Sequence, residues 1–255
     1  MNSMTNQKVA VITGGGNGIG SSIVEAFVHD GYTTVIADIN EEGSLLLQDR
    51  LRAQGGTVDF HKLDVGSEEQ IAGLFEYLDR QYGRCDVLVN NAGIAKTIPY
   101  LEYPKEHWDL VMRVNVTGPF LLSQYAGRLM KKNGWGRIIN LASISGEIAS
   151  FGRAAYGTSK AAVYGLTRQM AIELSEYGIT ANGISPGPIE TPLTQVLHSD
   201  EARKAYTDRV PMGRYGSSNE IAAAVLFLAS EGASYINGHV LPVDGGFLAS
   251  GVLQP

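Results

Sequence analysis

A doubly wound α/β fold, one parallel sheet of about seven strands with helices on both faces, is the architecture this sequence predicts. Three observations carry it. Short β-branched runs alternate with helical patterns along the 255 residues. The runs are almost continuously apolar, as strands buried on both faces must be. The first run ends in a glycine-rich turn that opens into a helix.

Taken in order, strands are expected over 9–13, 34–38, 57–63, 87–90, 137–141, 180–184 and 239–243. Helices are expected over 18–29, 41–53, 68–82, 105–132, 155–177 and 219–229. No repeat, low-complexity tract or linker interrupts them, so residues 1–255 read as a single domain. One stretch breaks the rhythm. Residues 185–218 carry Pro186, Pro188, Pro192 and Pro211 with only a weak helical pattern between. So long an excursion from the end of a strand reads as a lid over a ligand site.

Composition narrows the function. Hydrophobic content of 44% and charged content of 18% describe a folded domain. A formal net charge of −6, with no basic block, argues against nucleic acid or an anionic membrane as partner. The one cysteine, Cys85, cannot form an internal disulfide and fits a reducing compartment. With a polar N-terminus and no long apolar run, the expectation is a cytoplasmic protein. The histidines show no metal-ligand spacing.

The stretch Thr13-Gly-Gly-Gly-Asn-Gly-Ile-Gly20 lies where the first strand meets the first helix. Gly14, Gly18 and Gly20 permit a tight turn and let a diphosphate approach the backbone at a helix N-terminus, with Asn17 and Ile19 between them. Asp38 ends the next strand, where a carboxylate can accept from both ribose hydroxyls and repels a 2′-phosphate. Neither Ile39 nor Asn17 is a cation that could hold that phosphate, so NAD is expected over NADP. Asp64 and Val65, after the third strand, are placed at the adenine edge. Asn91, Ala92 and Gly93 form a small-residue turn that lets the chain pass close to the cofactor.

Tyr156 and Lys160 stand four residues apart in a helical segment, on one face. A tyrosine pKa near 10 must fall to about 7 for proton transfer at neutral pH, roughly 4 kcal/mol of preference for the phenolate. One ammonium about 4 Å away, at an effective dielectric near 20, supplies about that much.

With these pieces the chain resembles the short-chain dehydrogenase/reductase family, in its compact single-domain branch, over essentially its whole length. The matching residues run in order: Thr13-Gly14, Gly18-Ile19-Gly20, Asp64, Asn90-Asn-Ala-Gly93, Asn115, Ser143, Tyr156, Lys160, and Pro186-Gly187 with Thr191. The resemblance implies a Rossmann-type fold and a nicotinamide-linked oxidoreduction. It implies that Tyr156 exchanges a proton with the substrate oxygen and that Ser143 hydrogen-bonds that oxygen. Lys160 would lower the tyrosine pKa and hold the nicotinamide ribose. Asn115 would anchor a water linking Lys160 to solvent. Pro186, Gly187, Ile189 and Thr191 would hold the nicotinamide end, Ile189 and Thr191 at its carboxamide. Relatives are commonly tetramers joined through the two long helices and the C-terminal segment, so a homotetramer is expected, with the apolar tail 246–255 on a partner subunit.

Around the substrate, Ala95, Ser145, Phe151 and Leu193 suggest a secondary alcohol or ketone with a hydrophobic arm. Arg153 complicates this: it reads first as a rim or interface residue and second as a carboxylate binder. Dehydrogenases of short 3-hydroxy acids in this family bind a carboxylate with a lysine at its position, but the glutamine they place at Ala95 is absent. Three alternatives stand beside a simple alcohol dehydrogenase. They are a dehydrogenase of a carboxylate-bearing hydroxy acid using Arg153, a 3-oxoacyl-thioester reductase, and a non-enzymatic NAD-sensing regulator.

Overall fold

The computed structural model describes residues 7–251. Nine strands occur among them: β1 (Val9–Thr13), β2 (Thr33–Asp38), β3 (Val58–Lys62), β4 (Val87–Asn90), β5 (Gly136–Leu141), β6 (Ile179–Pro186), β7 (Ile189–Glu190), β8 (Gly216–Ser217) and β9 (Val240–Val243). Seven pair in one sheet in the order β3-β2-β1-β4-β5-β6-β9, every pair parallel. The chain builds outward from β1 to β3, then returns to β4 beside β1 and builds the other way. The reversal leaves a crevice at the carboxyl ends of β1 and β4, where such sheets bind ligands.

Adjacent strand residues face opposite layers. Ile12, Ile36, Val89 and Ile139 join Ile23, Phe27 and Val225 from α1 (Gly18–His29) and α9 (Ser218–Ala229) on one side. Val11, Val35, Leu88 and Ile138 join Leu74, Leu122 and Met170 on the other. These last come from α3 (Glu68–Gln81), α5 (Gly118–Asn133) and α6 (Ala154–Leu174). Both neighbours in each strand must therefore be apolar. The edge strands β3 and β9 depart from the expected continuous burial and are half-exposed, because each lacks a neighbour on one side.

Two further elements differ from expectation. The helix over 105–132 is divided: α4 (Lys105–Met112) passes through a π turn, Arg113–Thr117, into α5. Gly118 follows that turn because a Cβ there would lie 2.7 Å from the Val65 carbonyl oxygen. The excursion 185–218 is also ordered. Its first two residues complete β6, and β7 pairs in parallel with β8 to close its base. Between them lie α7 (Pro192–Leu197) and α8 (Asp200–Thr207), each started by a side-chain cap. Thr191 Oγ1 accepts from Thr194 N at 3.1 Å and Ser199 Oγ from Ala202 N at 3.3 Å. Helices this short owe more to their caps than to periodicity, which is why the pattern reads weakly.

Gly20 is where α1 crosses the end of β1, and a Cβ there would collide with the Gly14 carbonyl oxygen. Gly20→Ala is expected to destabilise the fold by about 1–3 kcal/mol in urea titration and to weaken dinucleotide binding in the same protein.

Candidate active site

The crevice floor is made by the turn after β1. Gly14 has φ +63° and donates to Ala37 O at 2.8 Å; Gly18 has φ +54°. The turn is clamped from both sides. Asn91 Nδ2 donates to Thr13 O and Gly14 O at 3.0 and 2.9 Å, while Thr13 Oγ1 accepts from Asn91 N and Ala92 N. Asp38 Oδ2 accepts from Gly16 N and Oδ1 from Asn40 N, both at 2.8 Å. Cβ atoms at Gly14 and Gly16 would approach Ala92 Cα to 2.9 Å and Ser44 Oγ to 2.6 Å. This close-set glycine cradle at a helix N-terminus fits the diphosphate of a dinucleotide.

The other predicted cofactor residues surround that cradle. Asn17 and Ile19 flank Gly18, and Ile39 stands exposed beyond Asp38. Val65 is buried, and Asp64 Oδ1 accepts from Gly66 N at 2.8 Å, shaping the turn into α3. Across the crevice, Thr191 lies opposite Gly18, its Cβ 3.8 Å from where a glycine Cβ would stand. Gly187 N donates to Val243 O at 3.0 Å, and a Cβ at Gly187 would meet Asp244 Cα at 2.7 Å. Pro186 ends β6 and Ile189 is buried in β7.

The residues expected to handle the proton converge from three elements. Ser143 follows β5, extended, its Oγ accepting from Ser145 N at 3.1 Å. Tyr156 lies in the first turn of α6 and Lys160 one turn later. Asn115 sits in the π turn, buried: Oδ1 accepts from Ile94 N at 2.9 Å, and Nδ2 donates to Ile94 O and Ser159 Oγ, each at 3.0 Å. Ser159 Oγ donates in turn to Tyr156 O at 2.7 Å. A π turn at such a residue is common at functional sites. Gly93 closes the group, since a Cβ there would lie 3.3 Å from Asn115 Oδ1 and 3.6 Å from Lys160 Nζ.

The electrostatics differ from the simple ion–phenol pair. Lys160 Nζ lies 5.7 Å from the Tyr156 ring centroid and donates to Leu141 O at 2.6 Å. Burial lowers its pKa to about 8. Burial raises the Tyr156 pKa; the Ser143 hydroxyl and the Arg153 charge pull it down, and Tyr206 pushes it up.

On the substrate side Arg153 is the N-cap residue of α6, half-buried, its guanidinium 5.7 Å from the Tyr156 ring centroid. Among the described residues it has no carboxylate partner. Ala95 and Ser145 are half-buried and Phe151 stands 82% exposed at the mouth. Leu193 belongs to α7, and its side chain lies outside the described residues.

Sequence reasoning missed Ser159 and the aromatic partners of His198, a residue it left between substrate contact and a solvated loop histidine. Ser159 was legible only as a residue one turn after Tyr156. The 185–218 excursion brings an aromatic group whose spacing gives no signal: His198 Nδ1 and Tyr215 OH are 2.9 Å apart, and the His198 ring stacks on Tyr206 at 5.2 Å. Burial lowers the His198 pKa, as do Arg153 and Arg203, while Glu190 opposes them.

Similar proteins fit this geometry. Residues 14–248 match the family described as enoyl-(acyl carrier protein) reductase. The chain is 39% identical over 241 residues to the 3-oxoacyl-(acyl-carrier-protein) reductase of Thermotoga maritima, covering 94% of this chain and 98% of that one. It is 36% identical over 244 residues to the 5-keto-D-gluconate 5-reductase of Escherichia coli, covering 95% and 96%. A gluconate 5-dehydrogenase from Burkholderia cenocepacia, solved in complex with NADP and tartrate, superposes with a TM-score of 0.92 at 36% identity, covering 96% of each chain.

Lys160 has a measurable signature in stability. Below pH 8 the folded protein holds its charge in a buried place. Between pH 8 and the ordinary lysine value of 10.5 the unfolded chain binds more protons than the folded one, so stability rises with pH. Lys160→Met is expected to raise stability at pH 7 by about 1–3 kcal/mol and to flatten that rise, read by urea titration across pH.

Proposed function

The chain belongs to the short-chain dehydrogenase/reductase family of oxidoreductases, and from that premise we propose that it interconverts a secondary alcohol and a ketone on a carboxylate-bearing substrate, using NAD(H). The observation that carries the substrate class is the Arg153 guanidinium beside the Tyr156 ring, with no carboxylate partner among the described residues. A half-buried guanidinium without a counter-ion suits a planar carboxylate, which it can bind through two hydrogen bonds. The likeness to a 5-keto-D-gluconate reductase and to a gluconate dehydrogenase crystallised with tartrate supports the same reading.

The nicotinamide, when bound, supplies hydride transfer. The residues assigned to hold it are Gly14, Asn17, Gly18, Ile19, Gly20, Asp38, Ile39, Asp64, Val65, Asn91, Ala92, Gly93, Pro186, Gly187, Ile189 and Thr191, with Tyr156 and Lys160. Ser143 and Tyr156 hold the substrate oxygen. In oxidation the Tyr156 phenolate takes the hydroxyl proton; in reduction the phenol donates it. Lys160 and Asn115 are assigned to proton exchange with solvent, supported by their common approach to Gly93, where a Cβ would meet both. Ala95, Ser145, Phe151 and Leu193 complete the substrate wall.

NAD is favoured because the Asp38 carboxylate is fixed by two backbone donors at the crevice. Lys62, its register neighbour on β3, is engaged by Glu41 at 2.9 Å and is not free for a 2′-phosphate. A second reading, a 3-oxoacyl-thioester reductase, draws support from the Thermotoga maritima relative. The net charge of −6 counts against docking an acidic carrier. For assembly we infer a homotetramer through α5 and α6, which leave Phe120 45% and Ile172 77% exposed. The apolar tail assigned to that interface is described only to Gly251, and 252–255 lie outside the described residues. Among the described residues no helix is long and apolar enough to cross a membrane.

Three outcomes are expected. In a panel of hydroxy acids and neutral alcohols read by NADH absorbance, Arg153→Ala raises KM at least about tenfold for acids and less than about twofold for neutral substrates. Equal effects on both would remove the carboxylate from the proposal. The kcat/KM with NAD exceeds that with NADP by about tenfold or more; a preference for NADP overturns the cofactor assignment. Light scattering at micromolar concentration returns the mass of four chains, and a monomer refutes the assembly.

A further inference from the structure

We propose that Tyr206, carried on α8, is a specificity-determining residue whose phenol hydroxyl hydrogen-bonds a hydroxyl on the substrate chain away from the reacting carbon. The substrate class this assigns is a secondary alcohol, or its ketone, that bears at least one further hydroxyl. The inference rests on the reading of the crevice as the site of an alcohol–ketone interconversion.

The Tyr206 ring is held on three sides. His198 stacks on it with centroids 5.2 Å apart and planes 11° from parallel. Tyr215 meets it edge-on at 6.3 Å, and Phe247 lies 6.3 Å away on a tilted plane. These neighbours are themselves fixed. His198 Nδ1 and Tyr215 OH stand 2.9 Å apart, and the Arg203 guanidinium lies 4.5 Å from the Tyr215 ring centroid while pairing with Glu190 of β7. Phe247 sits in a turn closed by Asp244, which accepts from Gly246 N at 2.9 Å and Leu248 N at 2.8 Å. A tyrosine has only two side-chain torsions to order, so rings on three sides leave its hydroxyl aimed. That hydroxyl has no hydrogen-bond partner among the described residues, whereas the Tyr215 hydroxyl is engaged. Tyr206 is half-buried, and its hydroxyl is not among the sealed polar atoms of the interior.

The packing of Tyr206 puts that free hydroxyl at the reaction centre. Its ring lies against a small cluster of Ile144, Val210 and Phe247, separate from the two cores that flank the sheet. Ile144 directly follows Ser143, so α8 seats on the same turn that presents the Ser143 hydroxyl. Tyr206 is also close enough to Tyr156 to push its pKa up. The two phenols therefore border one space, Tyr156 from α6 and Tyr206 from α8.

The polar groups around that space sort by what each can bind. Ser143 and Tyr156 take the reacting oxygen. Arg153 only donates and suits an anion. The Tyr206 hydroxyl is neutral, and it both donates and accepts, which matches another hydroxyl. Ala95, Phe151 and Leu193 offer no side-chain hydrogen bond. A substrate carrying the hydroxyl replaces the water on Tyr206, whereas its deoxy counterpart displaces that water and returns nothing. Sites built to bond a substrate hydroxyl discriminate against the analogue lacking it for this reason.

The experiment compares the wild-type enzyme with Tyr206→Phe, which keeps the ring and its three neighbours, on substrate pairs that differ by one hydroxyl. The pairs are secondary alcohols and hydroxy acids with a further hydroxyl at successive positions along the chain, each set against its deoxy counterpart and followed by cofactor absorbance. In the wild-type enzyme at least one hydroxylated member is expected to exceed its counterpart in kcat/KM by about tenfold or more. In Tyr206→Phe that ratio is expected to fall by about three- to tenfold, chiefly through KM. A merely structural role would lower both members alike and leave the ratio where it was. A ratio unmoved in Tyr206→Phe, or a wild-type enzyme with no preference for any hydroxylated member, would overturn the proposal while leaving the oxidoreduction intact. Failure to turn over any pair would instead bring down the alcohol–ketone reading, and this inference with it.

Discussion

The side-chain amide of Asn115 is the joint on which the site depends. Its three hydrogen bonds tie the loop after β4, the π turn and α6 into one unit, through Ile94 and Ser159. Ser159 then fixes the first turn of α6 by its bond to the Tyr156 carbonyl. Buried amides are costly unless satisfied, so these bonds specify one arrangement rather than several. The π turn is the backbone adjustment that carries Asn115 to this point from within a long helix.

Around that joint the protein accepts unfavourable electrostatics. Lys160 is 5% exposed with its pKa lowered to about 8, and Tyr156 is pushed away from ionisation by its own burial. The lysine's arrangement does not favour the folded state, and it leaves an ammonium that titrates close to neutral pH. Arg153 breaks the capping preference of its helix in the same neighbourhood. Local rules broken without structural return, gathered within one crevice, are what a working site looks like.

Much of this was legible in the chain. Gly14, Gly18 and Gly20 announced a strand–turn–helix cradle because only glycine tolerates those dihedrals and approaches. Tyr156 and Lys160 announced a shared helix face by their spacing. The edge exposure of β3 and β9 was not legible, since strand order is a property of the assembled sheet. Helices α7 and α8 of the 185–218 excursion escaped periodicity because each is too short to show it. Lys160 was placed one turn beyond the tyrosine, and a spacing of four residues could not reveal that its ammonium also donates to Leu141 O.

By itself, then, the sequence determined the parallel α/β class, the cradle and the identity of the chemical groups, since each follows from local stereochemistry and pattern. Only the tertiary structure decided how those groups act on one another. Burial, the direction of each side chain and the distance between charges set acidity, and they arise from residues far apart in the chain. Arg153 shows the difference: in sequence it is a cation three places before a tyrosine, and in space its guanidinium lies 5.7 Å from that tyrosine's ring centroid with no carboxylate partner among the described residues.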